Sequence, residues 1–203
     1  MSHHIDHIFF INLDKRPDRL AEIEDELKAY DLTAERFAAH YHQTIGLVGY
    51  TNSHVACLKM AKERGYKRVL ILEDDFHFLV DKETMEEQLS LLFDQQVPFD
   101  VCMLAYNLIR GEPSTEYPFL QRVREAYTAS AYIIQDHYYD TLIHLWEWAN
   151  PQLEATNHHW IYANDQIWKQ LQEKDTFYCY TMRLGKQRPS FSDNNGNFVD
   201  SIF

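Results

Sequence analysis

Three consecutive carboxylates, Glu73, Asp74 and Asp75, follow directly on the apolar run Val69-Leu70-Ile71-Leu72. Such an unbroken apolar run is the pattern of a strand buried on both faces, as in a parallel sheet covered by helices. Ligands of these sheets bind beyond the carboxyl ends of the strands. Three acids there repel one another and are costly where water is excluded. A divalent cation removes that cost, and hard oxygen donors suit Mg²⁺ or Mn²⁺, ions that commonly bridge carboxylates to phosphates. The chemistry indicated is therefore metal-assisted reaction of a phosphate-bearing substrate. Strand alternation predicts Glu73 and Asp75 on one side and Asp74 on the other. The plain alternative is a solvated turn after a strand.

Two further groups of residues bear on this. Ile11-Asn12-Leu13-Asp14-Lys15-Arg16-Pro17-Asp18-Arg19 follows the first apolar strand and opens a helix. Arg16 and Arg19 can offer guanidinium forks to a diphosphate, and the helix N-terminus favours an anion. The competing reading is capping, with the arginines paired to Asp14, Asp18 or Glu22. Asn52-Ser53-His54 opens the helix before the acidic strand. Asn52 or Ser53 suits an N-cap, and His54 can either donate to a phosphate or ribose or simply pack in the core.

The elements that must carry these residues alternate. Apolar runs predict strands over 8–13, 36–39, 69–72, 99–104, 127–134 and 176–180. Helical spacing predicts helices over 18–30, 52–64, 83–93, 136–148 and 165–174. Gly46 and Gly49 bracket a loop, and Gly111, Pro113 and Pro118 make 105–119 another. The stretch 184–200 is polar and rich in Gly and Pro. No repeat, low-complexity segment or linker interrupts the pattern, so 1–203 is expected to be a single α/β domain.

Composition narrows the partners. A net charge of −12 argues against a general nucleic-acid binder, which would show a basic face. Cys57, Cys102 and Cys179 are odd in number and widely spaced within apolar runs, as reduced core residues are. The sequence contains no signal peptide and no long apolar span. A cytoplasmic location without a transmembrane segment is the expectation.

Taken in order, "INLDKRPDR", "GYTNSHVACLKMAKERG" and "VLILEDD" resemble the family 25 glycosyltransferases. That family includes bacterial lipopolysaccharide galactosyltransferases and procollagen galactosyltransferases. The version here looks closest to members encoded by large DNA viruses, for which host cytoplasm or virion would be the location. The resemblance is strong over 8–76 and weaker over 126–134 and 187–193. The family more often has Cys-x-x-Ser-His where this chain has Tyr50-Thr51-Asn52-Ser53-His54.

The resemblance implies a GT-A fold: a nucleotide-binding α/β sandwich with a mostly parallel central sheet, a nucleotide-sugar donor and usually Mn²⁺. Asp75 would be the main metal ligand, with Glu73 reaching the metal or the ribose and Asp74 beside them. Asn12, Leu13, Asp14 and Arg16 would border base and ribose, with Arg19, Ser53 and His54 contributing to donor binding. In the tail, Gln187, Ser192 and Asp193 would touch phosphate or metal, in a segment ordered by the donor. The family is classed as inverting, so a base must deprotonate the acceptor hydroxyl. Asp165 is the candidate, at a helix start beside Trp160 and Tyr162, which can stack on a sugar face. Asp136 is a weaker one, and the His158-His159 pair is a lesser metal candidate. The expected reaction moves galactose or glucose from a UDP-sugar to a hydroxyl of a glycan, a lipid-linked sugar or a collagen-like protein. The rivals are a sugar nucleotidyltransferase, which would want a Gly-rich loop after the first strand, and a binding domain without turnover.

Overall fold

The layers of the molecule follow from period-two alternation in the residues before the acidic triplet. Val69 and Ile71 point into one core with Val55, Leu58, Trp146 and Trp168, whereas Leu70 and Leu72 point into a second with Ile23, Leu27, Met85 and Leu89. A strand apolar on both faces requires helices on both. The computed structural model describes residues 4–192 and 197–199, with side chains through residue 189. In chain order the elements are β1 (His7–Asn12), α1 (Pro17–Ala29), β2 (Glu35–Ala38), α2 (Gly46–Glu63), β3 (Arg68–Glu73), β4 (Phe76–Phe78), α3 (Lys82–Asp94), β5 (Val101–Pro113), β6 (Leu120–Gln135), α4 (Tyr139–Thr156), α5 (His159–Tyr162), α6 (Asn164–Ile167), α7 (Lys169–Lys174), β7 (Phe177–Tyr180), β8 (Gly185–Gln187), β9 (Ser190–Ser192) and β10 (Asn197–Val199).

The central sheet has six strands in the order β2-β1-β3-β6-β5-β7. β1 runs parallel to β2 and β3, and β5 runs parallel to β7. β6 runs against both of its neighbours, β3 and β5. The expected α/β class, with a mostly parallel sheet flanked by helices, is the one observed. α1 and α3 cover one face; α2, α4 and Trp168 cover the other.

This topology aligns the chemistry-bearing segments. Ile11 lies opposite Glu73, so β1 and β3 end side by side. Leu72 lies opposite Ala131, so β6 brings Ala129 and Thr128 just beyond the same edge.

Several boundaries differ from the sequence reading. α2 begins at Gly46 instead of residue 52. Both glycines that suggested a loop lie in this helix, and Gly49 serves close contact: a Cβ there would meet the His40 carbonyl oxygen at 2.2 Å. The predicted loop 105–119 is largely a long β5–β6 hairpin, and Pro113 is tolerated because it ends its strand. α4 passes through Pro151 to Thr156. The proline removes one donor to an exposed turn, and the Asn150 amide, donating to Val48 O at 3.1 Å and Asn52 Oδ1 at 2.8 Å, ties that turn to α2. The helix predicted over 165–174 is two short ones, α6 and α7, joined at Trp168, whose ring is fully buried against Tyr132, Trp146 and Phe177. Among the described residues no helix is long and apolar enough to cross a membrane.

Candidate functional site

A cavity of about 410 Å³ opens at the carboxyl ends of β1 and β3. Its floor is the acidic triplet. β3 stops at Glu73, so Asp74 and Asp75 sit in a turn where strand alternation no longer applies. All three acids line the cavity, which corrects the expectation that Asp74 faces away. Arg19, from the first turn of α1, is shared between two of them. Its Nη1 lies 3.0 Å from Asp74 Oδ1 and 3.1 Å from Asp75 Oδ2. Asp74 Oδ2 accepts from Asn12 Nδ2 at 2.8 Å. Glu73 Oε1 accepts the Tyr50 hydroxyl at 2.7 Å.

One guanidinium serves three carboxylates, and burial does the rest. Glu73 is driven well above the usual carboxylate range by burial and then by the charge of Asp75. Asp75 is pushed up to about 6 by burial, which Arg19 opposes and Asp74 reinforces. Asp74 is raised by burial against the pull of Arg19 and Asn12. The cluster is short of positive charge. Gln187 Nε2 lies 3.5 Å from both Glu73 Oε2 and Asp75 Oδ1, so one oxygen of each acid faces a common point. Two converging hard oxygens suit Mg²⁺ or Mn²⁺, which keep positions for water and phosphate. Among the described residues no group of three or more His, Cys, Asp and Glu is arranged to hold a metal. That includes His158 and His159, exposed at the start of α5.

The second wall comes from α2 and the loop before it. Tyr50, His40, Tyr41, His42 and Leu47 line it. Ser53 and His54 do not reach the cavity; they are fully buried behind it. Ser53 Oγ donates to Gly49 O at 2.8 Å and accepts from the His40 N–H at 2.9 Å, which pins the loop to the helix. His54 Nδ1 is hydrogen-bonded to the Tyr132 hydroxyl at 3.0 Å, and burial depresses its pKa from 6.5 to about 3. The folded protein thus holds His54 neutral while the unfolded chain protonates it below 6.5. Unfolded chain binding the extra proton means stability is lost as pH falls. The expected loss from this group between pH 6.5 and pH 5 is about 2 kcal/mol. His54→Gln, which keeps an acceptor for Tyr132 without titrating, should flatten that part of a melting-temperature profile. An unchanged acid slope in the variant would show that His54 does not carry it.

Asp165, in α6, also lines the cavity. Its Oδ2 accepts the Thr128 N–H at 3.3 Å, and burial raises its pKa against that bond and the charge of Lys169. Thr128 has φ +78°, a rare conformation for a β-branched residue. It lies where residues 128–130 of β6 bulge opposite Tyr106, between the pairs Ala105–Ala131 and Asn107–Tyr127. The strain, typically about 1–3 kcal/mol, turns a strand N–H toward a carboxylate. Asp136 lies in a 3-10 turn after β6 and pairs with Lys67; it does not line the cavity.

The remaining expected residues divide. Leu13, Arg16 and Gln187 line the cavity with the acids. Arg16 also pairs with Asp18 at 2.7 Å. Asn12 supports the site from beneath, receiving Arg36 on its Oδ1. Asp14 turns outward to Arg36. Asp193 and the side chain of Ser192 lie outside the described residues.

Sequence reasoning missed Tyr50, Thr128 and Arg188 as cavity residues. Tyr50 had a readable signal: it stands one turn before His54, and their rings meet edge to face at 4.6 Å. Arg188 had none, because β4–β8 pairing brings it in; its N–H donates to Asp75 O at 2.6 Å and its side chain pairs with Glu26.

No family model and no curated protein matches the chain. Solved structures with a similar trace include A197 from STIV (15% identity, 85% of this chain and 80% of that one, TM-score 0.47). A glycosyltransferase involved in the glycosylation of the major capsid of PBCV-1 is similar at 10% identity over 87% and 93% of the two chains, TM-score 0.49. A UDP-glucose pyrophosphorylase complexed with UDP-glucose is similar at 12% identity over 86% and 66%, TM-score 0.44. At these identities and scores none of the three passes a substrate or an activity to this chain.

Proposed function

We propose that residues 1–203 form one metal-dependent glycosyltransferase domain of GT-A type, moving a hexose from a UDP-sugar to an acceptor hydroxyl with inversion. The observation that carries this reading is one cavity lined by Glu73, Asp75, Arg19 and Arg16 together with a half-buried Asp165 that accepts the Thr128 N–H. Departure of a nucleoside diphosphate develops negative charge on its oxygens. Glu73 and Asp75 would hold a Mn²⁺ or Mg²⁺ ion, which would supply positive charge for those oxygens. Arg16 and Arg19 add fixed donors to the same charge. Leu13 and Ile11 offer an apolar surface to the base.

Asp165 would take the proton of the acceptor hydroxyl. Its burial raises its basicity, and the Thr128 N–H holds its Oδ2 in place. Tyr50 donates its hydroxyl to Glu73, and burial first, then the charges of Glu73 and Asp165, hold it protonated. Galactose or glucose as the sugar, and a glycan, lipid-linked or collagen-like acceptor, follow from the sequence resemblance to family 25.

A sugar nucleotidyltransferase is the rival. It would join a nucleoside triphosphate to a sugar phosphate and release pyrophosphate. The β1–α1 turn, Leu13-Asp14-Lys15-Arg16, has no glycine with which to wrap a triphosphate. The products distinguish the two: nucleoside diphosphate from a nucleotide sugar supports the transferase.

A further inference from the structure

Arg19 stands out because it occupies charge that both ligands of the proposed reaction would want. We propose that Arg19 is an internal counter-cation that makes metal binding and nucleoside-diphosphate binding depend on one another. This rests on the transferase reading above.

With Nη1 held 3.0 Å from Asp74 and 3.1 Å from Asp75, the guanidinium neutralises part of the acidic floor and repels an arriving divalent ion. A diphosphate competes for the same donor, since Arg19 lines the cavity and forks suit phosphate oxygens. Drawing Arg19 toward the diphosphate returns full negative charge to Asp75 and strengthens its hold on a metal. The metal, in turn, takes over Asp75 and frees Arg19 for the phosphates. By linkage each ligand must raise the affinity of the other by the same factor.

The neighbouring contacts permit the exchange. Asp74 keeps Asn12 at 2.8 Å when Arg19 leaves. Asp75 keeps Gln187 at 3.5 Å, and its backbone stays tied to the Arg188 N–H at 2.6 Å. No acid is stranded. A purely structural staple would show no such second set of partners and no coupling.

Calorimetric titration of the chelator-stripped full chain tests this with MnCl2 alone, UDP alone, and each in the presence of the other. In the unaltered protein each ligand should tighten the other by about tenfold or more. In Arg19→Met, Mn²⁺ alone should bind about tenfold tighter, and the mutual factor should fall by about the same amount, leaving only the direct attraction between ion and diphosphate. Coupling unchanged in Arg19→Met, or Mn²⁺ alone binding no tighter, overturns the proposal and leaves the transferase reading standing. Absence of Mn²⁺ binding to either protein with UDP present overturns both. Where Arg19→Met does not fold, Arg19→Lys keeps the charge but not the shared geometry. A reduced mutual factor there supports the proposal, and an unchanged one overturns it.

Discussion

Asp75→Asn is expected to lower sugar transfer by about a thousandfold with little change in melting temperature. The amide keeps the size of the carboxyl group but cannot supply the charge that a divalent ion and a departing diphosphate require. The fold should tolerate the change because burial already presses Asp75 toward its neutral form, with a pKa near 6. The contact with Arg19 is lost, yet Arg19 retains Asp74 at 3.0 Å. Steady-state turnover with saturating Mn²⁺, beside a thermal melt, reads both halves. Full turnover in a folded Asp75→Asn protein would remove the metal from the mechanism.

The second large effect concerns the general base. Asp165→Asn should cut turnover by about a hundred- to ten-thousandfold, the range of a positioned general base, while UDP binding with Mn²⁺ stays unchanged. The pH profile sharpens the test. Asp165 acts only when ionised, and burial raises its pKa above 3.8. With Mn²⁺ saturating, so that Glu73 and Asp75 stay ionised, turnover of the unaltered protein should therefore fall on the acid side through an inflection above that value, and the residual rate of the variant should lose it. Undiminished turnover, or an unchanged acid limb, would put the base elsewhere.

The legible parts of this chain were those written in local pattern. Val69-Leu70-Ile71-Leu72 has both the length and the two-faced apolarity of a central strand, and its register with β1 follows once both are parallel. The acids at its end, and Arg19 in the first turn of α1, were visible for the same reason. Illegible features depend on contacts between distant segments. Gly49 reads as a loop residue because its packing partner, the His40 backbone, lies in another segment. Asp74 was placed on the opposite side because strand alternation was extended past Glu73, where β3 ends. The Thr128 bulge needs the β5–β6 register, and Arg188 needs the β4–β8 pair; neither is encoded near the residue itself. His54 lay open to two readings, and burial against Tyr132 and Trp146 selects the packed one.

The most direct measurement incubates the purified protein with a panel of UDP-hexoses and Mn²⁺, with the same panel and chelator, and with UTP plus hexose-1-phosphates and a divalent ion, and identifies the products by chromatography. Release of UDP from one or two of the sugars in the Mn²⁺ arm, abolished by chelator, is the expected result, with no pyrophosphate in the third arm. Pyrophosphate from the third arm without UDP in the first would contradict the transferase and establish the nucleotidyltransferase in its place.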